Sequence, residues 1–366
     1  MTGIPNRMMT PPSDHPPARP PLPPGFARSA AWPALHIDFP ARTAQVFEFT
    51  PADYLGAAFL DQRALAHRPF CGFSATLADI AAAMSTAPPD PPPLHWLFHI
   101  GHCGSTLISR LLDALPGLLG LREPLPLLEL AMRHAQAETP EARTRFDDDL
   151  ALTLALLRRG FPDTRSILVK PTSVVAVLAP ELLASSSPSR AIALSMKLRP
   201  WLALMLRDPT LRLGMRQQAP ARLAVWHHLT GQREPDLATL GDAQVLAMSW
   251  LVQQLQCLRL RSEAGMAARL MTLDFDDFLA DPPGRLRALT THLGHTTDPM
   301  ALAPGRSAAL LARYAKDPLQ RFDADTRRRE IDAATARFAG EIEAGMAWAR
   351  ATLAPLHAHD LQTDLG

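Results

Sequence analysis

Residues 94–113, LHWLFHIGHCGSTLISRLLD, constrain what the chain can fold into more than any other stretch. Leu94, Trp96, Leu97, Phe98 and Ile100 form a short apolar run, which predicts a strand covered on both faces. Gly101 and Gly104 bracket a turn where no Cβ hinders close backbone approach. Ser105 and Thr106 open a helix, continued by Leu107, Ile108, Leu111 and Leu112 at helical spacing. Such a junction aims several backbone N–H groups and the positive end of a helix dipole into one concavity. Physically that is an anion site, suited to phosphate or sulfate.

The rest of the chain alternates in kind. Strands are expected at Leu118–Leu121, Arg165–Lys170, Arg190–Met196 and Arg269–Leu273. Helices are expected at Leu125–Ala137, Thr139–Arg159, Val174–Leu183, Leu240–Ala264 and Gly284–Leu293, with one beginning at Pro200–Leu206. Asp323–Leu353 reads as one long amphipathic helix, with Arg327, Arg328 and Arg329 on a solvated face. Strands separated by helical crossovers imply an α/β fold, a mostly parallel sheet with helices on both faces. Ligands in such sheets bind at the carboxyl ends of the strands, where the Gly101–Thr106 loop, Glu123, Lys170 and Lys197 fall.

Before this domain, residues 1–25 are proline-rich and aperiodic, an extended or disordered arm. Residues 26–85 form a small α/β segment with a strand over Gln45–Thr50. Its helices are expected from Pro51 to about Ala64, capped by Thr50, and over Ser74–Met84. Residues 86–93, TAPPDPPP, are a stiff linker. The main domain is expected over 94–353 and a frayed tail over 354–366.

Composition removes several functions. The 366 residues carry a formal net charge of +1, which argues against a general nucleic-acid or membrane-surface binder. No run of 18 or more apolar residues suggests a membrane span, and the N-terminus lacks a signal-peptide pattern. Cys71, Cys103 and Cys257 are too few and too scattered for a disulfide framework, so a cytoplasmic setting is expected. Of 37 lysines and arginines only Lys170, Lys197 and Lys316 are lysines, so each is a place where a compact ammonium is of interest.

The loop itself excludes more. A nucleoside-triphosphate loop needs G-x-x-x-x-G-K-[ST], and here Ser105 follows Gly104 directly. A P-loop kinase is therefore disfavoured. A shorter loop followed by two hydroxyls suits an anion that needs no metal, and a sulfuryl group fits. His95, His99, His102 and Cys103 do not converge on a metal, and Cys103 lacks the surroundings of a nucleophile elbow.

Gly101-His102-Cys103-Gly104-Ser105-Thr106-Leu107 resembles the P-K-S-G-T-T-W or P-R-S-G-S-T loop of the P-loop sulfotransferases. Leu270–Gly294, LMTLDFDDFLADPPGRLRALTTHLG, resembles that family's later strand, its [RD]-[YF]-E-D-L-L-x-D-P segment and the following helix. Arg122-Glu123-Pro124 resembles the R-E-P segment of many bacterial members. The resemblance implies a P-loop NTPase-like fold and sulfuryl transfer from 3′-phosphoadenosine 5′-phosphosulfate (PAPS) to a hydroxyl or amine of a small-molecule or glycan acceptor, without metal or nucleic acid. It implies that Gly101, Cys103, Gly104, Ser105 and Thr106 hold the 5′-phosphosulfate. His102 or Lys170 would stabilise the leaving oxygen, and Glu123 would be the base.

The departures are as informative. His102 stands where the family has Lys or Arg, and an ordinary imidazole is only partly protonated at neutral pH. Lys197 or Arg199 takes the place of the 3′-phosphate arginine, but the expected serine position carries Leu204 or Met205, with Arg207 nearby. Arg313, Lys316 and Arg321 stand nearest to the family's late basic loop. The alternative is a catalytically inactive or regulatory P-loop protein that binds a nucleotide or another anion. Neither the acceptor nor the oligomeric state is legible.

Overall fold

The structure, a computed structural model, describes residues 21–185, 188–263, 265–313, 324–356, 361 and 363–365. Among the described residues, eight strands fall into two sheets. β1 (Ala34–Asp38), β2 (Thr43–Phe47) and β3 (Gly72–Thr76) pair antiparallel in that order. β4 (Leu94–His99), β5 (Leu118–Arg122), β6 (Ser166–Lys170), β7 (Ala191–Ser195) and β8 (Leu270–Asp274) form an all-parallel sheet in the order β5-β6-β4-β7-β8. The α/β class and parallel sheet are as expected from the alternation of strands and helices.

β4 is central because it is apolar on both sides of its pleat. Leu94, Trp96 and Phe98 enter one core with Ile167, Val169, Ala191 and Ala193. Leu97 enters the other core with Leu168, Ile192 and Leu194. Helices cover both faces, which is what a fully buried parallel strand requires. Since β6 lies on one side of β4 and β7 on the other, successive crossovers leave β4 in opposite directions. The loop after β4 therefore opens into the crevice at a topological switch point.

The antiparallel sheet shares the first of these cores, where Leu35, Ile37, Val46 and Phe49 join Leu94 and Trp96. Arg122, at the end of β5, reaches back and donates to the carbonyls of Ala57 (2.8 Å) and Leu55 (3.2 Å).

Several expected boundaries differ. The helix capped by Thr50 is Pro51–Gly56 and stops well short of Ala64. Leu60 is instead tied to β5, its N–H donating to the Arg122 carbonyl at 2.7 Å. Asp61 then caps a separate 3-10 turn, Gln62–His67. Ser74, expected at a helix start, lies in β3, and the helix there is Leu77–Met84, capped by Thr76. The single helix expected over 323–353 is two, Ala324–Arg337 and Ala339–Leu353, broken at Phe338. The second packs so closely on helix Asp242–Ser262 that a Cβ on Gly345 would stand 2.9 Å from the Ala243 carbonyl oxygen.

Candidate functional site

The strands of the parallel sheet end together at His99, Arg122, Lys170, Ser195 and Asp274. The loop Gly101–Gly104 leaves β4 at this edge and enters helix Ser105–Leu112. Gly101, His102 and Gly104 have φ of 84°, 54° and 78°. Glycine takes such values freely, whereas His102 does so at a cost. At Gly104 a second demand applies, since an added Cβ would stand 2.0 Å from the Phe275 ring. Phe275 directly follows β8, so the later of the two sequence blocks supplies the wall of the earlier one.

The loop is held from both flanks. His99 accepts the Gly101 N–H on Nδ1 (3.0 Å), and its Nε2 lies 2.8 Å from the Pro171 carbonyl oxygen. Only the neutral Nε2–H tautomer satisfies both bonds. Trp201 donates from Nε1 to the Gly101 carbonyl (2.8 Å). Cys103 is buried, and burial pushes its thiol up to about 12, which removes it as a nucleophile at neutral pH. Ser105 and Thr106 are buried at the helix start, and the Thr106 hydroxyl oxygen has no hydrogen-bond partner among the described residues. A buried hydroxyl without a partner among the described residues, at the first turn of a helix, is suited to accept or donate to an anion.

Lys170 and Glu123 come together here. Parallel register sets Arg122 beside Lys170, and the Glu123 N–H donates to the Lys170 carbonyl at 2.6 Å. Lys170 Nζ then lies 2.5 Å from Glu123 Oε1, and the Thr172 hydroxyl is 3.5 Å from Glu123 Oε2. Glu123 has φ 49°, a backbone cost carried at the strand's end. Arg122 is the neighbour in sequence that could have paired it. Arg122 instead pairs with Asp113 at 2.7 Å, so that arginine is structural and the lysine takes the carboxylate.

The other cations divide. His102 and Lys197 are exposed, and Lys197 precedes helix Leu198–Leu206. Arg199 pairs with Glu343 at 2.6 Å and Arg207 with Glu330 at 2.7 Å. Arg313 is exposed, while Lys316 and Arg321 lie outside the described residues.

Two arginines were missed. Arg327, read as solvated, has a side chain only 11% exposed, pairs with Asp276 at 2.6 Å and lies over the Phe275 ring. Its Nη2 is 3.5 Å from Met196 Sδ, on the β7 side of the loop. Arg222, on helix Pro209–Leu223, is buried on the β6 side and donates to Ser173 Oγ at 2.9 Å. Ser173 in turn lies against Gly101. No local pattern marked either arginine, because both reach the site only through the fold.

A central parallel strand, a glycine-bearing loop at its end and helices on both faces complete the layout. The fold is α/β, with a five-stranded sheet in the order β5-β6-β4-β7-β8. No family model matches the sequence, and no curated protein does. Among solved structures, the chain is similar to the sulfotransferase domain from the curacin biosynthetic pathway, at 14% identity over 68% of this chain and 98% of that one, with a TM-score of 0.40. The sulfotransferase domain of the Synechococcus PCC 7002 olefin synthase is 18% identical over 69% and 97%, at 0.36. Sulfotransferase STF9 from Mycobacterium avium is 15% identical over 72% and 81%, at 0.38. These likenesses concern the fold alone. No helix among the described residues is long and apolar enough to cross a membrane.

Proposed function

We propose that the protein is a sulfotransferase, moving a sulfuryl group from PAPS to a hydroxyl or amine of a small-molecule or glycan acceptor. The observation that carries the reading is the unpartnered, buried Thr106 hydroxyl at the start of the loop helix. The backbone N–H groups around Gly104, Ser105 and Thr106 would hold the 5′-phosphate, and the cations on the β7 side, Lys197, Arg207 and Arg327, would face the 3′-phosphate. In the transfer, the acceptor oxygen or nitrogen bonds to sulfur as the bond from sulfur to the 5′-phosphate oxygen breaks. The acceptor proton passes to a base, and the leaving phosphate gathers negative charge. Lys170, paired with Glu123, is placed to meet that charge. Lys170 Nζ holds Glu123 Oε1, so Oε2, 3.5 Å from the Thr172 hydroxyl, is the oxygen left to take the acceptor proton. With Cys71, Cys103 and Cys257 all free, a cytoplasmic setting belongs to the same reading.

A second reading rests on Glu123 being already occupied by Lys170 and on His102 standing where a permanent cation is expected. A protein so arranged binds the nucleotide without turning it over. Calorimetry with adenosine 3′,5′-bisphosphate separates the cases. The sulfotransferase reading requires binding, weakened by Ser105→Ala and by Lys170→Ala, together with sulfuryl transfer to some member of an acceptor panel. Binding without transfer supports the second reading. No binding at millimolar nucleotide, or unchanged affinity in both variants, refutes the pocket.

A further inference from the structure

Among the described residues, Arg122, Arg159 and Arg222 are the buried arginines. Two have every need met. Arg122 has the Asp113 carboxylate and the carbonyls of Ala57 and Leu55. Arg159 donates to the carbonyls of Leu156 (3.0 Å), Phe26 (3.0 Å) and Trp32 (2.9 Å). Arg222 has one neutral hydroxyl, Ser173 Oγ, and a weak sulfur acceptor, Met215 Sδ at 3.9 Å. Its Nη1 is buried without a partner, and no carboxylate among the described residues pairs with it. Only 2% of the residue is exposed. Burial pulls the guanidinium down to about 10, which still leaves it charged at neutral pH. Unlike Arg159, whose donors all reach carbonyls, Arg222 leaves a buried N–H donor unmet, and an anion would meet both that donor and the charge.

Its position says which ligand. Arg222 touches Ser173, and Ser173 Oγ would stand 3.4 Å from a Cβ on Gly101. The guanidinium is therefore on the β6 side of the loop, with Lys170, Glu123 and Thr172. Lys197, Arg207 and Arg327 are on the β7 side, which the proposed function gives to the nucleotide. Gln218, one turn before Arg222 on the same helix face, buries an amide oxygen that also lacks a partner. Turned over, that amide gives an anion a second donor.

We infer that Arg222 holds an anionic group of the acceptor, a carboxylate, sulfate or phosphate, on the Glu123 side of the loop. The inference rests on the donor lying on the other side. It narrows the acceptor to compounds carrying both a nucleophilic hydroxyl or amine and a negative charge.

The test uses inorganic sulfate as probe, titrated calorimetrically at constant ionic strength into protein saturated with adenosine 3′,5′-bisphosphate. Wild type should bind one further sulfate. Arg222→Met should weaken that event at least tenfold and Arg222→Lys should restore part of it, with nucleotide affinity unchanged within twofold. Absence of the further sulfate in wild type overturns the inference, as does sulfate binding indifferent to Arg222→Met. An equal loss of nucleotide affinity in Arg222→Met overturns it too, by assigning the arginine to the donor. If the nucleotide does not bind wild type at all, the donor reading falls separately, and sulfate binding by the free protein, Arg222→Met against wild type, still decides whether Arg222 holds an anion. A panel of hydroxyl compounds in matched acid and amide forms settles the source. Wild type should prefer the acids and Arg222→Met should not, whereas equal binding of both forms by wild type assigns the site to a free anion and overturns the acceptor assignment.

Discussion

Lys170 Nζ lies 2.5 Å from Glu123 Oε1, joining the ends of β6 and β5 beside the Gly101–Gly104 loop. The lysine side chain is fully buried and the glutamate's is 12% exposed, so each charge depends on the other for solvation lost on folding. Removing one partner takes the ion-pair contact from the other. Glu123→Gln should therefore cost about 3 kcal/mol of stability. Glu123→Gln combined with Lys170→Met should recover much of that loss, because no buried charge is left over. Urea unfolding of the two single variants and the double variant checks this. A double variant no more stable than Glu123→Gln alone would count against the pairing.

Gly104 carries two separate demands, a φ of 78° and contact with the Phe275 ring. Gly231 has a similar φ of 65° but open space around it. Gly231→Ala should cost about 1 kcal/mol, the backbone term alone. Gly104→Ala should cost distinctly more and should abolish nucleotide binding, since either the loop or the Phe275 ring must shift. Thermal melts of the two variants, followed by nucleotide titration, separate backbone strain from the steric term.

At the opposite edge of the sheet His95 accepts the Arg190 N–H on Nδ1 at 3.2 Å. Burial, helped by His295, Arg190 and His292, lowers its pKa from 6.5 to about 4. The folded state thus favours the neutral ring, and protonation favours the unfolded chain. This contribution is complete above about pH 6.5, falls as the pH drops towards 4, and is worth about 3 kcal/mol over that span. His292 and His295 are lowered in the same direction by burial. Stability measured between pH 7 and 4 should decline, and His95→Gln should flatten part of that decline.

The central strand, its loop and its helix were legible because their signals are local: an apolar run, two glycines and two hydroxyls in order. The parallel sheet followed from alternation. Lys170 and Glu123 were each placed at a strand end, but their contact depends on the register that sets Arg122 beside Lys170, which no local pattern encodes. Arg222 and Arg327 were hidden for the same reason. Each lies on a helix whose sequence reads as a polar surface, and only the packing of that helix brings the guanidinium to the loop. The break at Phe338 was missed because the apolar spacing continues through it, while the contact of Gly345 on Ala243 lies between distant helices.

Thr106 offers the sharpest separation of stability from binding. Its hydroxyl oxygen is buried without a partner, so the folded protein bears an uncompensated desolvation cost at this atom. Thr106→Val keeps the side-chain shape and removes that cost. The variant should be as stable as wild type or more so, by up to about 1 kcal/mol. If the hydroxyl is there for an anion, the same change should weaken adenosine 3′,5′-bisphosphate by roughly tenfold, about 1.4 kcal/mol. A structural hydroxyl with an unseen water partner would behave in the reverse way, with lower stability and unchanged affinity. Paired unfolding and calorimetry on this one variant therefore distinguish a ligand cradle from an ordinary strand-to-helix turn.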